Sequence, residues 1–281
     1  MPGSALYLYC VLPAPGAVPR VAAPALDGGP VHAVRLGGLA VLAHSCPPEP
    51  YQGGNERVRH WVAAHHAVVA EAWAAAGSVL PMSFDVIVSP GGGHDAEANL
   101  TGWIAEHRAA LHGRLAQLAG RAEVGVQVLR EAAGPPPPGA GAAGAAPVPR
   151  GRAFFARQER DRQARSEREQ RAGLDSRRHL EALAALADEV RVGRPRPVPG
   201  QQMILNLSLL VVSAAVPRVG DYLESVAGEP GTEVRFTGPW PPYSFAGSFG
   251  KIEHGTGAAA AGGEGRQPPG TGVSPIGNGG A

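Results

Sequence analysis

The sequence has few cysteines, few aromatic residues and no long apolar run. Cys10 and Cys46 are its two cysteines, and aromatic residues make up 5% of its 281 residues. Both cysteines lie in or beside strand-like apolar runs, where free cysteine is a common core residue, so we expect no structural disulfide. No run reaches the roughly 18 residues that a membrane helix needs, and no basic segment leads into an apolar core at the start. We therefore expect a cytoplasmic protein that contacts no membrane.

The net charge is also small. The 25 basic residues nearly balance the 24 acidic ones, which gives a formal net charge of +1. No overall electrostatic field therefore holds the chain on nucleic acid or on an anionic lipid surface, and any such contact has to be local.

Residue types that carry out catalysis are present, but not in recognised patterns. His60, His65 and His66 share one predicted helix at spacings of five and one, whereas two zinc ligands on one helix face normally lie four apart. The glycine clusters 37–38 and 91–93 fit neither the phosphate-binding nor the dinucleotide-binding pattern, so they predict turns. No G-x-S-x-G elbow surrounds a serine. We therefore predict no catalytic residue, no metal site, no cofactor and no small-molecule substrate.

The first 131 residues alternate between strand-like and helix-like patterns. Two helices are predicted, one from Asn55 to Gly77 and one from Asp95 to Gly120, with Asn55 and Asp95 as their caps. Residues 37–38 supply the turn of a hairpin. Five apolar runs predict strands, at residues 5–12, 32–36, 39–45, 79–88 and 123–129. The order β-β-β-α-β-α-β predicts an α+β domain, a modified ferredoxin-like sandwich with an extra strand, in which both helices cover one face of the sheet.

The composition changes after this domain and again near the end of the chain. Residues 132–150 lack the large apolar side chains of a core and are rich in proline and glycine, which predicts a linker. Residues 246–281 are dominated by Gly, Ala, Pro and Thr, which predicts a disordered tail. The folded parts are therefore predicted at 1–131 and 151–245.

Residues 151–245 predict a second, smaller α+β domain. A stretch from 152 to 192 is almost free of helix breakers and predicts one long helix, charged at first and then apolar on one face. Residues 203–212 form the most apolar run of the chain and predict a strand. Pro217 suits the first turn of another helix, and residues 232–236 alternate as a strand.

The arginine-rich part of the long helix, residues 150–178, allows two interpretations. Its basic residues outnumber Glu159, Asp161, Glu167, Glu169 and Asp175, which favours a nucleic-acid surface. Opposite charges are interleaved, however, and no aromatic platform is spread among them, which favours a solvated or protein-facing helix with ion pairs four residues apart. We prefer the second interpretation and keep nucleic-acid binding as an alternative.

A short aromatic and proline-rich segment carries a family resemblance. Residues 236–245, FTGPWPPYSF, follow a strand and closely resemble the carboxyl-terminal signature of the gas vesicle protein L/F family. Weaker landmarks of that family occur in the same order, LYLYC at 6–10, VLPMSF at 79–84, GRAEVGVQVL at 120–129, GRAFFAR at 151–157 and NLSLLV at 206–211. The resemblance spans about residues 5 to 246. It implies a modified ferredoxin-like domain followed by an α+β domain.

The resemblance also implies a function, namely that of an accessory protein in gas vesicle formation. Such a protein is expected in the cytoplasm, associated with gas vesicles, where it binds the vesicle shell protein and other vesicle accessory proteins without catalysing a reaction. We hypothesise that it covers apolar shell subunits, which aggregate through exposed sheet edges. An enzyme with an unrecognised spatial site is the competing class, and a pocket lined by converging titratable groups would indicate it.

Two segments are candidate partner contacts. One is the aromatic cluster of Trp240, Tyr243 and Phe245, and the other is the apolar strand that carries Leu205, Leu207 and Leu209. Aromatic residues beside a proline-rich turn also commonly lock a loop to its own core. The sequence leaves both interpretations of the aromatic cluster open.

Overall fold

The structure is a computed structural model that describes residues 4–131 and 150–247, with side chains from Phe154 onward in the second range. Helices and strands follow in the order β1 (Ala5–Pro13), β2 (His32–Leu36), β3 (Leu39–Cys46), α1 (Asn55–Ala76), β4 (Leu80–Pro81), β5 (Ile87–Val88), α2 (Ala96–Leu118), β6 (Arg121–Glu131), α3 (Arg150–Ala184), β7 (Glu189–Val192), β8 (Gln201–Val212), α4 (Val216–Ala227) and β9 (Thr232–Trp240).

The described residues form two compact units whose sequences interleave. Unit 1 contains residues 4–124, 210–216 and 237–247, and unit 2 contains residues 125–131, 150–209 and 217–236. These bounds differ from the predicted domains, 1–131 and 151–245. The predicted linker lies outside the described residues except for Arg150, and the predicted tail except for Ala246 and Gly247.

Unit 1 is built on an antiparallel sheet with strand order β2-β3-β1-β4, and β5 also pairs with β1. Leu36 pairs with Leu39 across the turn formed by Gly37 and Gly38. Both glycines have positive φ angles, 59° and 81°, which is the backbone of a type I′ turn. The predicted hairpin is therefore present at its predicted position.

The helices of unit 1 lie on opposite faces of this sheet. Leu8 and Val41 pack in one buried cluster with α2 residues such as Leu100, whereas Tyr7 and Leu42 pack in a second cluster. Trp61, Val68, Val69 and Ala72 of α1 belong to that second cluster. The prediction that both helices cover one face is wrong, because both faces of β1 and β3 are apolar and each recruits its own helix.

Local signals set the helix ends. The Asp95 side chain accepts a hydrogen bond from the Ala98 N–H at 2.7 Å, which confirms it as the cap of α2. Gly77 ends α1 in the left-handed conformation at φ 68°. The Asn55 cap is wrong, because Gly54 holds the cap position without a side-chain hydrogen bond and Asn55 is already helical.

The predicted strand over residues 79–88 is two short strands. Pro81 has no N–H to continue pairing after β4. Asp85 then has a positive φ of 72°, which turns the chain before β5. An apolar run therefore became two separate pairings with β1.

The second sheet has the strand order β7-β8-β6-β9, and most of its residues belong to unit 2. Gly193 N–H donates to Asn206 O at 2.8 Å where β7 turns back along β8. The predicted helix end at residue 192 is wrong, since α3 ends at Ala184 and β7 follows. Glu189–Val192 alternates polar and apolar residues, and pairing with β8 stabilises it as a strand.

The fold class is confirmed as mixed helix and sheet, with two antiparallel sheets. Unit 2 contains the predicted long helix, α3, together with α4 and strands, and Leu183, Val219 and Leu223 are buried in it. No helix within residues 4–131 and 150–247 combines the length and apolar character needed to cross a membrane.

Candidate functional site

The carboxyl-terminal signature ends in a segment that is held within unit 1. We call residues 240–247 the clasp segment. Proline residues 241 and 242 lead into a single 3-10 turn, Tyr243–Phe245. Just before it, Gly238 has a φ of 108°, and a Cβ atom there would lie 2.8 Å from the Glu123 carbonyl oxygen. Glycine is thus required for this close approach.

The centre of the clasp segment is bonded to a buried carboxylate. Glu123, at the start of β6, is 4% exposed. Its carboxylate accepts hydrogen bonds from the Ser244 N–H at 2.7 Å and from the Ser244 hydroxyl at 2.5 Å. A buried carboxylate needs such donors, because desolvation without them is costly. This pair is 121 residues apart in sequence, so no local pattern announces it.

The two aromatic side chains of the turn pack on opposite sides of the sheet. Phe245 is fully buried in the cluster that α2 shares with the sheet, and Arg114 of α2 donates two hydrogen bonds to its carbonyl oxygen, at 2.8 and 2.7 Å. Tyr243 packs against the cluster on the α1 side. Its hydroxyl lies 3.2 Å from His66 Nδ1 of α1. The clasp segment therefore joins both helices of unit 1.

Trp240 contacts the same α1 histidine as Tyr243. Its ring meets the His66 ring edge to face, with centroids 5.3 Å apart. Trp240 is half-buried, so part of its ring faces solvent. Among the three aromatic residues that the sequence singled out, Phe245 is fully buried, whereas Trp240 and Tyr243 are half-buried.

A network of tyrosines and histidines lies beneath α1. Tyr7 OH lies 2.8 Å from His65 Nδ1 and accepts from the Asp85 N–H at 3.2 Å. His65 Nε2 faces the Met82 carbonyl oxygen at 3.2 Å, which only an N–H can satisfy. His65 Nδ1 is thus the acceptor of the Tyr7 hydroxyl. The same side chains also meet edge to face, with centroids 5.7 Å apart.

A second arm of this network involves Tyr9, His44 and Tyr51. Tyr9 OH lies 3.0 Å from His44 Nδ1, and His44 Nε2 lies 3.1 Å from Tyr51 OH. Leu26 donates its N–H to Tyr9 OH at 3.2 Å. Each ring nitrogen of His44 therefore has a hydroxyl partner.

Burial keeps these groups uncharged. It lowers the pKa of His65 to about 3 and also lowers the pKa values of His44 and His66. It raises the pKa values of Tyr7 and Tyr243 well above the usual range. Neutral histidines bonded to protonated tyrosines form a structural polar layer, in which desolvation penalises every charged state.

The network was not predicted from the sequence, because the histidines of α1 were tested there only as metal ligands. The available signal was the period of two that puts Tyr7 and Tyr9 on one face of β1, together with His65 on the buried face of α1. Within residues 4–131 and 150–247, no group of three or more His, Cys, Asp or Glu side chains is placed to hold a metal ion.

The predicted contact residues of the apolar strand lie inside unit 2. Leu205, Leu207 and Leu209 alternate along β8 and are 3%, 2% and 0% exposed. Trp240, Tyr243 and Phe245 come together in unit 1 as described above. A partner contact by any of the six residues stays a prediction, and of the six only Trp240 and Tyr243 are not fully buried.

The arginine-rich helix α3 is exposed over most of its described length and held at its end. Phe154 and Phe155 are 63% and 68% exposed. Near the other end, Arg130 Nη2 contacts Asp175 Oδ2 at 3.0 Å and Glu229 Oε2 at 2.8 Å. Arg178 also contacts Glu229, at 2.6 Å. These ion pairs connect α3 to β6 and to the residues after α4 within unit 2.

Comparison with known proteins gives one consistent result. The family model described as "Gas vesicle synthesis protein GvpL/GvpF" matches residues 5–247. Gas vesicle protein L1 of Halobacterium salinarum is 26% identical over 277 residues, covering 87% of this chain and 91% of the relative. Gas vesicle protein L of a Streptomyces species is 30% identical over 257 residues, covering 86% of this chain and 92% of the relative.

Solved structures agree at the level of the fold. The crystal structure of gas vesicle protein GvpF from Anabaena sp. PCC7120 superposes with a TM-score of 0.64 and 21% identity, covering 91% of this chain and 100% of that one. GvpF from Microcystis aeruginosa gives a TM-score of 0.60 and 18% identity, covering 86% and 98%.

Proposed function

This chain belongs to the GvpL/GvpF family of gas vesicle synthesis proteins and has a role in gas vesicle formation, and we propose that it acts there as a non-catalytic binding protein for the shell protein and other vesicle proteins. The observation that carries the proposal is the family match over residues 5–247, which includes the clasp segment. It acts, in this proposal, at the vesicle or during its assembly.

The chemistry of unit 1 supports binding over catalysis. Two of its buried titratable side chains are hydrogen-bonded within the unit: His65 to Tyr7 and to the Met82 carbonyl oxygen, and Glu123 to Ser244. A general base needs access to a substrate proton, and a nucleophile needs a neighbouring base. These side chains have the opposite arrangement, since burial and hydrogen bonds fix them inside the fold.

The proposed mechanism is protection of the shell protein before assembly. Shell subunits that expose apolar surface and sheet edges aggregate unless another protein covers them. A protein with exposed sheet edges and charged surfaces can bind such subunits without catalysing a reaction.

Two measurements test the proposal. Deletion of the gene in a host that forms gas vesicles is expected to abolish or reduce the vesicles, and the full-length chain is expected to restore them. The purified full-length chain is also expected to bind purified shell protein and to lower its aggregation, measured by light scattering. Normal vesicles without the gene, or a chain that binds no vesicle protein, would contradict the proposal.

A further inference from the structure

The outer edge of β2 in unit 1 is open. In the strand order β2-β3-β1-β4, β2 pairs with β3 alone among the described strands. Leu36 and Leu39 flank the two-residue turn, so the backbone groups of Leu36, Val34 and His32 form the hydrogen bonds with β3. The N–H and C=O groups of Ala33 and Arg35 therefore point away from the sheet. Such groups are a template for an added strand.

Unpaired cations surround this edge. Arg35 is exposed, and its guanidinium donates hydrogen bonds to the Ala14 and Gly16 carbonyl oxygens. The Arg108 side chain of α2 lies over the turn, since a Cβ atom on Gly37 would be 2.8 Å from Arg108 Cδ. Within the described part of the chain, neither arginine forms an ion pair with a carboxylate.

Two histidines lie at the ends of the same strand. His32 is exposed at its start, and His112 Nε2 lies 3.0 Å from the Gly37 carbonyl oxygen at the turn. The edge therefore combines backbone pairing groups with positive charge. Its complement is an extended segment that carries carboxylates.

The longer edge strand of unit 2 differs in its charges. On β9, Arg235 Nε contacts Glu233 Oε1 at 2.7 Å, so its charges are already paired. Pro239, near the end of β9, also lacks the N–H that pairing requires. These features distinguish β2 from β9.

The geometry points to the outer edge of β2 as a docking site for an extended, carboxylate-bearing strand of the gas vesicle shell protein, which pairs with the Ala33 and Arg35 backbone and neutralises Arg35 and Arg108. The inference rests on the proposed function and names the surface that performs it. It also fits the need of a strand-forming partner to have its own edge covered before assembly.

A second copy of this chain is a poorer occupant of the edge. Pairing of β2 with β2 of another copy brings the Arg35 and Arg108 side chains of both copies to one seam. Like charges placed across neighbouring strands destabilise their pairing. A strand with carboxylates at alternate positions replaces this repulsion with attraction.

The test uses a proline that blocks only the outer edge. In Ala33→Pro, the ring replaces the outward N–H, while the residues that bond to β3 keep their backbone groups. Ala33→Val is the matched control, since valine has a similar size and keeps the N–H. Both full-length variants and the unmodified chain are titrated with purified shell protein and with overlapping synthetic peptides that cover the shell sequence.

The expected result is at least tenfold weaker binding for Ala33→Pro and unchanged binding for Ala33→Val. Arg108→Gln is expected to weaken binding a few-fold and to reduce its salt dependence. Hydrogen exchange on the unmodified chain adds a readout that needs no variant, because the shell protein is expected to protect the Ala33 and Arg35 amides.

Three outcomes overturn the inference, and each is distinguishable. Equal binding by Ala33→Pro with unprotected amides overturns the edge site but leaves the proposed function intact. A chain that binds no shell protein or peptide overturns both. Loss of a self-associated form in Ala33→Pro, seen by sedimentation, assigns the edge to a second copy.

Discussion

The bond between Ser244 and Glu123 gives a quantitative test of the clasp segment. In Ser244→Ala, the Glu123 carboxylate loses the hydroxyl that now donates at 2.5 Å, while the backbone N–H at 2.7 Å remains. Hydrogen bonds to charged groups contribute about 1.5–3 kcal/mol, and Glu123 is too buried for water to replace the donor freely. We therefore expect the free energy of unfolding of unit 1 to fall by about 1.5–3 kcal/mol.

The assay can follow unit 1 alone, because all four tryptophans, Trp61, Trp73, Trp103 and Trp240, lie in that unit. Urea unfolding is followed by tryptophan fluorescence and extrapolated to water. Ser213→Ala is the matched control. Its hydroxyl donates to a neutral carbonyl oxygen, that of Gly120, at 3.0 Å near the surface of the same unit. That substitution is expected to cost about 0.5–1 kcal/mol.

The reasoning fails if Ser244→Ala destabilises unit 1 no more than Ser213→Ala does. A double-mutant cycle with Glu123→Gln sharpens the test, since the two substitutions are expected to couple by about 1–2 kcal/mol if the side chains meet as described. Purely additive effects would show that Ser244 contributes through something other than this carboxylate.

Three further predictions concern the network, the ion pairs of unit 2 and the partner contact. Between pH 6.5 and 4.5 the unfolded chain protonates His65 but folded unit 1 does not, since burial lowers its pKa to about 3. The contribution of His65 to the stability of unit 1 is therefore full above pH 6.5 and falls by about 2.7 kcal/mol by pH 4.5. In the same urea titration, His65→Gln is expected to show a pH dependence that is smaller by this amount, and the remaining dependence includes that of His44 and His66. Glu229→Gln is expected to destabilise unit 2 by about 1–2 kcal/mol, because it removes the ion pairs of Glu229 with Arg130 and Arg178. The control is Glu169→Gln, which removes an exposed ion pair and is expected to change stability by less than about 0.5 kcal/mol. Hydrogen exchange of the α4 amides measures both variants, and equal effects would refute the role of Glu229. Trp240→Ala is expected to keep unit 1 folded and to weaken shell-protein binding in a pulldown; unchanged binding by the folded variant argues against Trp240 as an anchor.

Signals confined to a few neighbouring residues predicted the local structure well. Gly37 and Gly38 specify a type I′ turn, Asp95 caps α2, and Gly77 ends α1, because each of these preferences is set by the conformation of one or two residues. Asn55 failed as a cap since Gly54 beside it takes the cap position. Helix and strand ends that depend on such residues are therefore readable from sequence.

Features that depend on distant residues were not predicted. An apolar helix face does not say which side of a sheet it covers, so the positions of α1 and α2 on opposite faces of β1 were missed. The partner of Glu123 lies 121 residues away, and an acidic residue in an alternating strand normally faces solvent. That the clasp segment is bonded to Glu123 and Arg114 within unit 1 became visible only from the structure.

The position of the clasp segment changes where a partner site should be sought. Phe245, Ser244 and the Tyr243 hydroxyl are bonded or buried within unit 1, so the part of the sequence that most resembles the family holds the fold together. A side chain committed to its own core contributes nothing to a partner unless that core opens, which costs much of the stability of a marginally stable unit. Backbone edges and unpaired charges carry no such cost. As a partner site in this chain, the β2 edge with Arg35 and Arg108 beside it is therefore favoured over the aromatic signature of residues 236–245.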